Sequence, residues 1–345
     1  MEGAVRKGIA HTAGKYTYPA ASGTQLIDGV NAIFNAGYTC IKLYCTAGYL
    51  TDYPLQSSWS STPANLTALA STTQMAAALS KAWNTVILTC FTFANGTTNW
   101  WRVNPTAAAY AAEYTEIYNL AVYLLSTYNG TGRKFVLQNW EGDWAFMDAF
   151  VADTYVAREM VDRYSAFLGH RQRAVSDARK ATASDCQILM AVEVNRVTDA
   201  MLYPHRRRIL TDLAGRITPD LISYSAYDST IVDQGGWGAD ITAWTNATTP
   251  VFTKALRQIQ LAFPGVPIQI GEFGFPEGIE LPSGRNVGTM INTVYSIANT
   301  AGLVNFIYWQ VFDNEETSPS VPRGYYTVKP DGSSSVAGTA MAALP

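Results

Sequence analysis

The segment Pro267 to Pro276, PIQIGEFGFP, is a short apolar run of strand type that delivers one carboxylate, Glu272, into a turn punctuated by Gly and Pro. A buried strand gains nothing structurally from a charge at its end, whereas the carboxyl ends of parallel-barrel strands are where such folds carry chemistry. A second acid stands in Gln138-Asn139-Trp140-Glu141-Gly142-Asp143-Trp144. Asn139 and Glu141 are two residues apart, which places them on one face of a regular strand. Two carboxyl groups facing one another across a pocket, with tryptophans around them, are the apparatus for cleaving a glycosidic bond. One protonates the leaving oxygen while the other attacks or stabilises the anomeric carbon.

Other strand-end acids compete for the place of Glu141. Asp143, Asp228 and above all Glu193, in Val192-Glu193-Val194-Asn195, could serve as the acid, and Glu193 could instead bond substrate hydroxyls. Of the nine tryptophans, Trp100, Trp101, Trp140, Trp144, Trp237 and Trp309 are candidates for planes that hold sugar faces, although a single tryptophan is more often core. His11 either reaches the pocket from the first strand as a substrate contact or is a satisfied buried histidine. Asp313, Glu315 and Glu316 could attract a hard cation, but they lack the glycine spacing of a helix-loop-helix calcium site, and a sugar-contacting acidic loop is the preferred reading. No CxxC or HxxxH spacing occurs and the histidines are scattered, so no metal and no cofactor is expected. Cys40, Cys45, Cys90 and Cys186 read as small buried hydrophobes.

The elements that must position these residues alternate along the chain. Strand-like runs are Lys7 to Thr12, Thr39 to Cys45, Thr85 to Phe93, Lys134 to Asn139, Gln187 to Val194, Leu221 to Tyr227, Pro267 to Gly271 and Asn305 to Val311. Between them lie helix-like stretches: Gln25 to Ala36, Thr73 to Ala82, Ala107 to Tyr128, Thr154 to Ala181, His205 to Ala214, Pro250 to Phe263 and Gly288 to Ala301. Strands apolar on both faces and separated by helices predict a parallel sheet, and eight of them predict a closed (β/α)8 TIM barrel forming a single domain over residues 1–345. An open doubly wound sheet would carry a Gly-rich phosphate turn after its first strand, and Ala10-His11-Thr12-Ala13-Gly14-Lys15 has none. From about residue 330 the chain reads as a short surface extension or a last short helix.

In strand order, Ile270-Gly-Glu-Phe-Gly274, the Asn-and-Glu ending Asn139-Trp140-Glu141, Ser225-Ala-Tyr-Asp228 and Tyr308-Trp309 resemble the retaining (β/α)8 glycoside hydrolases that include cellulases, mannanases and β-1,3-glucanases. The resemblance spans the barrel from first strand to eighth. It implies Glu272 as nucleophile, Glu141 as acid/base, Asn139 donating to the 2-hydroxyl of the reacting sugar, Tyr227 hydrogen-bonding the nucleophile and Trp309 flooring the reacting subsite. Lys42 stands where those enzymes usually have an arginine that keeps the nucleophile ionised. The sequence departs from the pattern at Trp140, which separates Asn from Glu, at Ser225, where histidine is common, and on the third strand, Ile87 to Phe91, which lacks a histidine many relatives carry.

Composition excludes several other classes. Lys+Arg number 24 against 27 Asp+Glu, a net charge of -3, so no basic stripe is available for nucleic acid and no polybasic footprint for a membrane. Arg206-Arg207-Arg208, beside His205, is a short isolated run that reads as a solvated helix face or as C-terminal charge pairing. No stretch approaches the roughly 18 apolar residues that span a bilayer. A charged fraction of 15% with abundant Tyr, Thr, Ser, Asn and Trp is associated with work outside the cell, so a secreted, soluble protein is expected, and the resemblance adds the expectation of a monomeric retaining β-glycosidase acting within polysaccharide chains. A metabolic barrel with a phosphate substrate would want positive potential after the eighth strand, where Asp313-Asn-Glu-Glu316 stands instead. A non-catalytic glycan-binding barrel would keep the aromatics and lose a carboxylate.

Overall fold

The computed structural model describes residues 5–17, 24–96, 99–148, 150–151, 154–230, 240–277, 287–318 and 321–345. Eight parallel strands close into a barrel in sequence order, the last returning to pair with the first. They are β1 Arg6–His11, β2 Cys40–Thr46, β3 Thr85–Phe91, β4 Lys134–Gln138, β5 Gln187–Val194, β6 Leu221–Ser225, β7 Ile268–Phe273 and β8 Asn305–Tyr308. The predicted (β/α)8 barrel is therefore the observed fold.

Each strand is covered twice, by the barrel interior on one face and by helices on the other, so apolar residues run through it without a polar side. Alternation sorts them. On β2, Ile41, Leu43 and Cys45 join the core between barrel and helices, while Cys40 and Tyr44 join the smaller interior core, and Lys42, between them in register, is inside as well. All four cysteines are free and buried.

The covering helices include Gln25–Asn35, Thr73–Leu79, Ala107–Thr127, Arg158–Ala181, Ile241–Ala262 and Val287–Thr300. Side-chain caps set several of their starts: Thr72, Thr106 and Asp240 each accept from a first-turn amide. The Asp240 cap starts its helix well before Pro250, which lies inside it rather than at its first turn. Of the helix expected over His205 to Ala214 only Ile209–Asp212 forms, and a separate short helix, Val197–Leu202, precedes it. Pro204 separates them, and the intervening Arg206 and Arg208 close back onto Asp199 at 2.7 and 2.5 Å. The basic run is thus partly consumed by an internal acid rather than standing as a solvated face. At the carboxyl terminus the helix Val336–Ala343 buries Ala337, Gly338 and Met341. Among the described residues no helix is long and apolar enough to cross a membrane.

Arg171, on Arg158–Ala181, joins the helix layer to the barrel. Its Nε donates to Glu113 Oε1 at 2.6 Å, Nη2 to the Cys90 carbonyl at 2.6 Å and Nη1 to the Gln138 carbonyl at 3.3 Å, so one guanidinium ties two helices to the ends of β3 and β4. Both members of the ion pair are buried. Arg171→Met leaves Glu113 as a buried charge without its cation and is expected to cost about 3–5 kcal/mol in urea unfolding. Adding Glu113→Gln should recover a substantial part, and equal loss in single and double variants would show that the charge pairing is not what matters.

Candidate active site

The carboxyl ends of the strands open into a cavity of about 660 Å³ lined by, among others, Tyr44, Trp140, Glu141, Trp144, Tyr227, Glu272 and Trp309. Glu272 enters it through a β-bulge. On β7, Gln269 faces inward, bonding Gln138 and Ser223 inside the barrel, and Ile270 faces outward into the helix-side core. Strict alternation would then turn Glu272 outward. Pairing with β8 jumps from Ile270↔Phe306 to Phe273↔Tyr308, and pairing with β6 from Tyr224↔Ile270 to Ser225↔Glu272, so Gly271 is the extra residue and Glu272 turns in. Only glycine fits there, because a Cβ on residue 271 would stand 1.9 Å from Ser223 Oγ and 2.7 Å from Glu193 Oε1.

Inside the barrel Glu272 meets a buried cation. Lys42 Nζ lies 2.6 Å from Glu272 Oε1, 3.0 Å from Glu193 Oε1 and 3.2 Å from the Gly271 carbonyl. Glu193 also accepts from Gln138 Nε2 at 3.0 Å, from Ser223 Oγ at 3.1 Å and, on its other oxygen, from the Glu141 amide at 2.8 Å. Burial alone would lower the Lys42 pKa, but the two carboxylates outweigh it and raise it, so the side chain stays an ammonium.

Glu141 is held differently. β4 ends at Gln138, and Glu141 stands at the turn into the short helix Gly142–Met147, off the strand. Its Oε1 accepts from Ser225 Oγ at 2.7 Å, and no cation bonds it among the described residues. Burial, then the charge of Glu272, push its pKa well above the ordinary carboxylate value, with the Ser225 hydroxyl opposing. Glu272 is also raised by burial, but Lys42 pulls it back, to about 7. Of the two, Glu141 therefore holds the proton more tightly, because Glu272 has an ammonium to ionise against.

Several sequence expectations are corrected by these placements. Asn139 and Glu141 do not share a face: Gln138 points into the barrel, so Asn139 points out of it, donating to Tyr164 Oη at 3.2 Å and accepting from the Glu193 amide at 3.0 Å. Asn139 is thus a tie between β4, β5 and the helix behind, away from the cavity. Glu193, expected as rival acid or as a substrate contact, is fully buried inside the barrel with both oxygens bonded. His11 is fully buried, bonded to the Gln25 carbonyl at 3.0 Å and edge-on to Tyr53 and Phe312, so it makes no approach to the cavity. Lys42 does stand beside Glu272, as the resemblance implies, at 2.6 Å, but it is fully buried and lines none of the cavity. Tyr227 lines the cavity in the field of Glu272, but no hydrogen bond joins the two.

Trp140, Trp144 and Trp309 line the cavity, whereas Trp100 and Trp101 are core residues packed on Tyr110, Phe167 and Tyr164. Trp237 lies outside the described residues. Asp313 is spent on backbone, accepting from Glu315, Gly324 and Tyr325, while Glu315 and Glu316 pair with Arg323 and Lys15. Asp143 and Asp228 likewise accept from backbone amides, of Asn195 and Arg196 and of Thr198. Among the residues at the site to which the sequence reading gave no role are Tyr44, on the cavity wall, and Ser225, behind Glu141. Tyr44 lies two positions beyond Lys42 and so on its face, a signal that alternation already contained. Ser225, noted only as a departure, is the hydrogen-bond partner of Glu141.

No family model matches the sequence, and no curated protein matches it. Solved structures match its shape. A GH5_18 from Bifidobacterium longum subsp. infantis superposes with a TM-score of 0.65 at 14% identity, covering 98% of this chain and 78% of that one. A GH5-4 broad specificity endoglucanase from Clostridium longisporum gives 0.60 at 14% identity, with 98% and 94% covered. Fungal beta-1,4-galactanase gives 0.58 at 10%, with 99% and 100% covered. The fold is the (β/α)8 barrel of these structures. At such identities the likeness establishes the architecture, and the chemistry rests on the residues above.

Carbon-13 titration of the glutamate carboxyls reads the asymmetry directly. Glu272 is expected to titrate below Glu141. Lys42→Met should move the Glu272 midpoint upward by about 1–3 pH units, since removing the ammonium disfavours the carboxylate. Ser225→Ala should move Glu141 further up, since the hydroxyl bonds its ionised form. An unmoved Glu272 in Lys42→Met would show that the ammonium does not set its ionisation.

Proposed function

We propose that the chain is a retaining glycoside hydrolase that cleaves β-glycosidic bonds of a polysaccharide or oligosaccharide, with Glu272 as nucleophile and Glu141 as acid/base. The observation that carries this is the pair of carboxyl groups lining one cavity, Glu272 buried against an ammonium and the half-buried Glu141 against a hydroxyl alone. Different environments give two like groups two different roles.

In the first step Glu141 gives its proton to the glycosidic oxygen as that oxygen leaves, and the Glu272 carboxylate attacks the anomeric carbon, forming a glycosyl ester. In the second, the Glu141 carboxylate takes a proton from water, whose oxygen displaces Glu272 from the same carbon. Both residues end as they began, and two inversions give net retention. Lys42 disperses the nucleophile's charge before attack and after release. The faces of Trp309, Trp140 and Trp144 offer the planes against which sugar rings pack, and the Tyr44 and Tyr227 rings close the sides.

Neighbours of like fold described as a broad specificity endoglucanase and as beta-1,4-galactanases support action within polysaccharide chains and leave the sugar open. Polymers of that kind are met outside the cell, which supports an exported enzyme. A barrel that only bound glycans would gain nothing from two cavity carboxyl groups of which one raises the other's cost of ionisation.

A polysaccharide panel covering β-glucans, mannan, galactan and xyloglucan, read by reducing-sugar release, should yield at least one substrate. On it, Glu272→Gly should lose activity by several orders of magnitude and regain part of it with azide, giving a glycosyl azide of inverted anomeric configuration. A folded Glu272→Gly that azide does not rescue, or wild-type product of inverted configuration, would contradict the assignment.

A further inference from the structure

Arg196 follows β5 directly and lines the same cavity as Glu141 and Glu272. Its backbone is fixed from below, the amide donating to Asp143 Oδ2 at 3.1 Å, and its guanidinium lies over the Trp144 ring, 5.2 Å from the centroid. Only 7% of the residue is exposed, and Nε is buried without a hydrogen-bond partner. Among the described residues no ion pair or hydrogen bond engages this guanidinium.

The other buried arginines are provided for. Arg171 pairs with Glu113 and Arg208 with Asp199, while Arg133 donates to three backbone carbonyls. The cavity acid whose charge reaches Arg196 is Asp228, and its oxygens are already engaged, Oδ1 by Tyr224 Oη at 2.5 Å and Oδ2 by the Thr198 amide and hydroxyl at 2.7 and 2.8 Å. A cation withdrawn from water with no ion pair or hydrogen bond of its own is costly, and stacking on one indole beside a carboxylate already engaged by other donors offsets only part of that. A planar fork of N–H donors beside an aromatic plane, opening on a sugar-sized cavity, is complementary to a carboxylate carried on a sugar ring.

We propose that Arg196 recognises the carboxylate of a hexuronate unit of the substrate, whose ring lies on the Trp144 side of the cavity. The inference rests on the carbohydrate reading of the site and narrows it from glycans in general to acidic glycans. Trp144 then serves two ends, holding the guanidinium in orientation and presenting an apolar edge to the sugar.

Calorimetric titration of the full chain with glucuronate, galacturonate and mannuronate, each beside its neutral parent hexose, tests it. At least one uronate should bind roughly tenfold or more tighter than its parent, and added salt should weaken that preference. Arg196→Gln should erase the preference while leaving the parent hexose within about twofold, and Arg196→Lys should restore only part, since an ammonium lacks the fork. Circular dichroism confirms that each variant is folded. The proposal is overturned if no uronate exceeds its parent, if Arg196→Gln weakens acid and parent equally, or if glucose 6-sulfate shows the Arg196-dependent gain in place of every uronate. Binding needs no bond cleavage, so the two readings fail separately. Uronate binding without hydrolysis of any polymer removes the hydrolase alone, and cleavage of neutral polymers without uronate preference removes this inference alone.

Discussion

The site depends on one buried ammonium shared by two carboxylates. Lys42 is fully enclosed by the barrel, 2.6 Å from Glu272 and 3.0 Å from Glu193. Removing one partner from such a cluster leaves an uncompensated buried charge, which costs on the order of 3–5 kcal/mol, so the barrel interior must supply every remaining donor. It does so through a chain of side chains. Asn305 donates to Gln269 at 2.8 Å, Gln269 donates to Gln138 and Ser223, and both of those donate to Glu193. Glu193 is thereby the better satisfied of the two anions, and it spends its second oxygen on the Glu141 amide. One internal carboxylate thus fixes the cation that faces the nucleophile and the backbone that carries the acid.

This arrangement explains why the two cavity carboxyls differ although they face one space. Two carboxylates and one ammonium leave the cluster net negative when all are ionised, and a further buried negative charge on Glu141 is opposed by that excess. Ser225 can stabilise it with a single hydrogen bond, whereas Glu272 has an ion pair. The proton therefore resides on Glu141, the group placed to deliver it. The same logic singles out Arg196, the cavity-lining cation that forms no ion pair among the described residues.

Much of the fold was legible because it rests on pattern. Runs apolar on both faces, separated by helical stretches, have few solutions other than a parallel barrel, and the eight runs lie within a few residues of the eight strands. What alternation could not show was where it breaks. Gly271 inserts one residue into β7 and reverses the facing of everything after it, so a strictly regular strand would have buried Glu272 among the helices. The strand-end position drew attention to the right residue, while its orientation depends on a bulge that only pairing with both neighbours reveals. Asn139 illustrates the reverse: β4 stops one residue earlier than its sequence suggests, and the shared face expected for Asn139 and Glu141 dissolves with it. His11 and Glu193 were ambiguous for another reason. A polar residue on a barrel strand can face the rim or the sealed interior, and the difference lies in how deep it sits, which composition does not encode.

The central claim is that Glu272 forms a covalent bond to the sugar and Glu141 does not. Incubation with an activated 2-deoxy-2-fluoro glycoside of the cleaved sugar, followed by proteolysis and mass spectrometry, tests it most directly, because the fluorine slows both formation and release of the glycosyl ester while the activated leaving group restores its formation. The account predicts one added sugar on the peptide containing Ile270-Gly-Glu-Phe-Gly274, at Glu272, with stoichiometric loss of activity. A label on Glu141 or Glu193, or steady hydrolysis of the unfluorinated substrate with no label on any carboxylate, would contradict it.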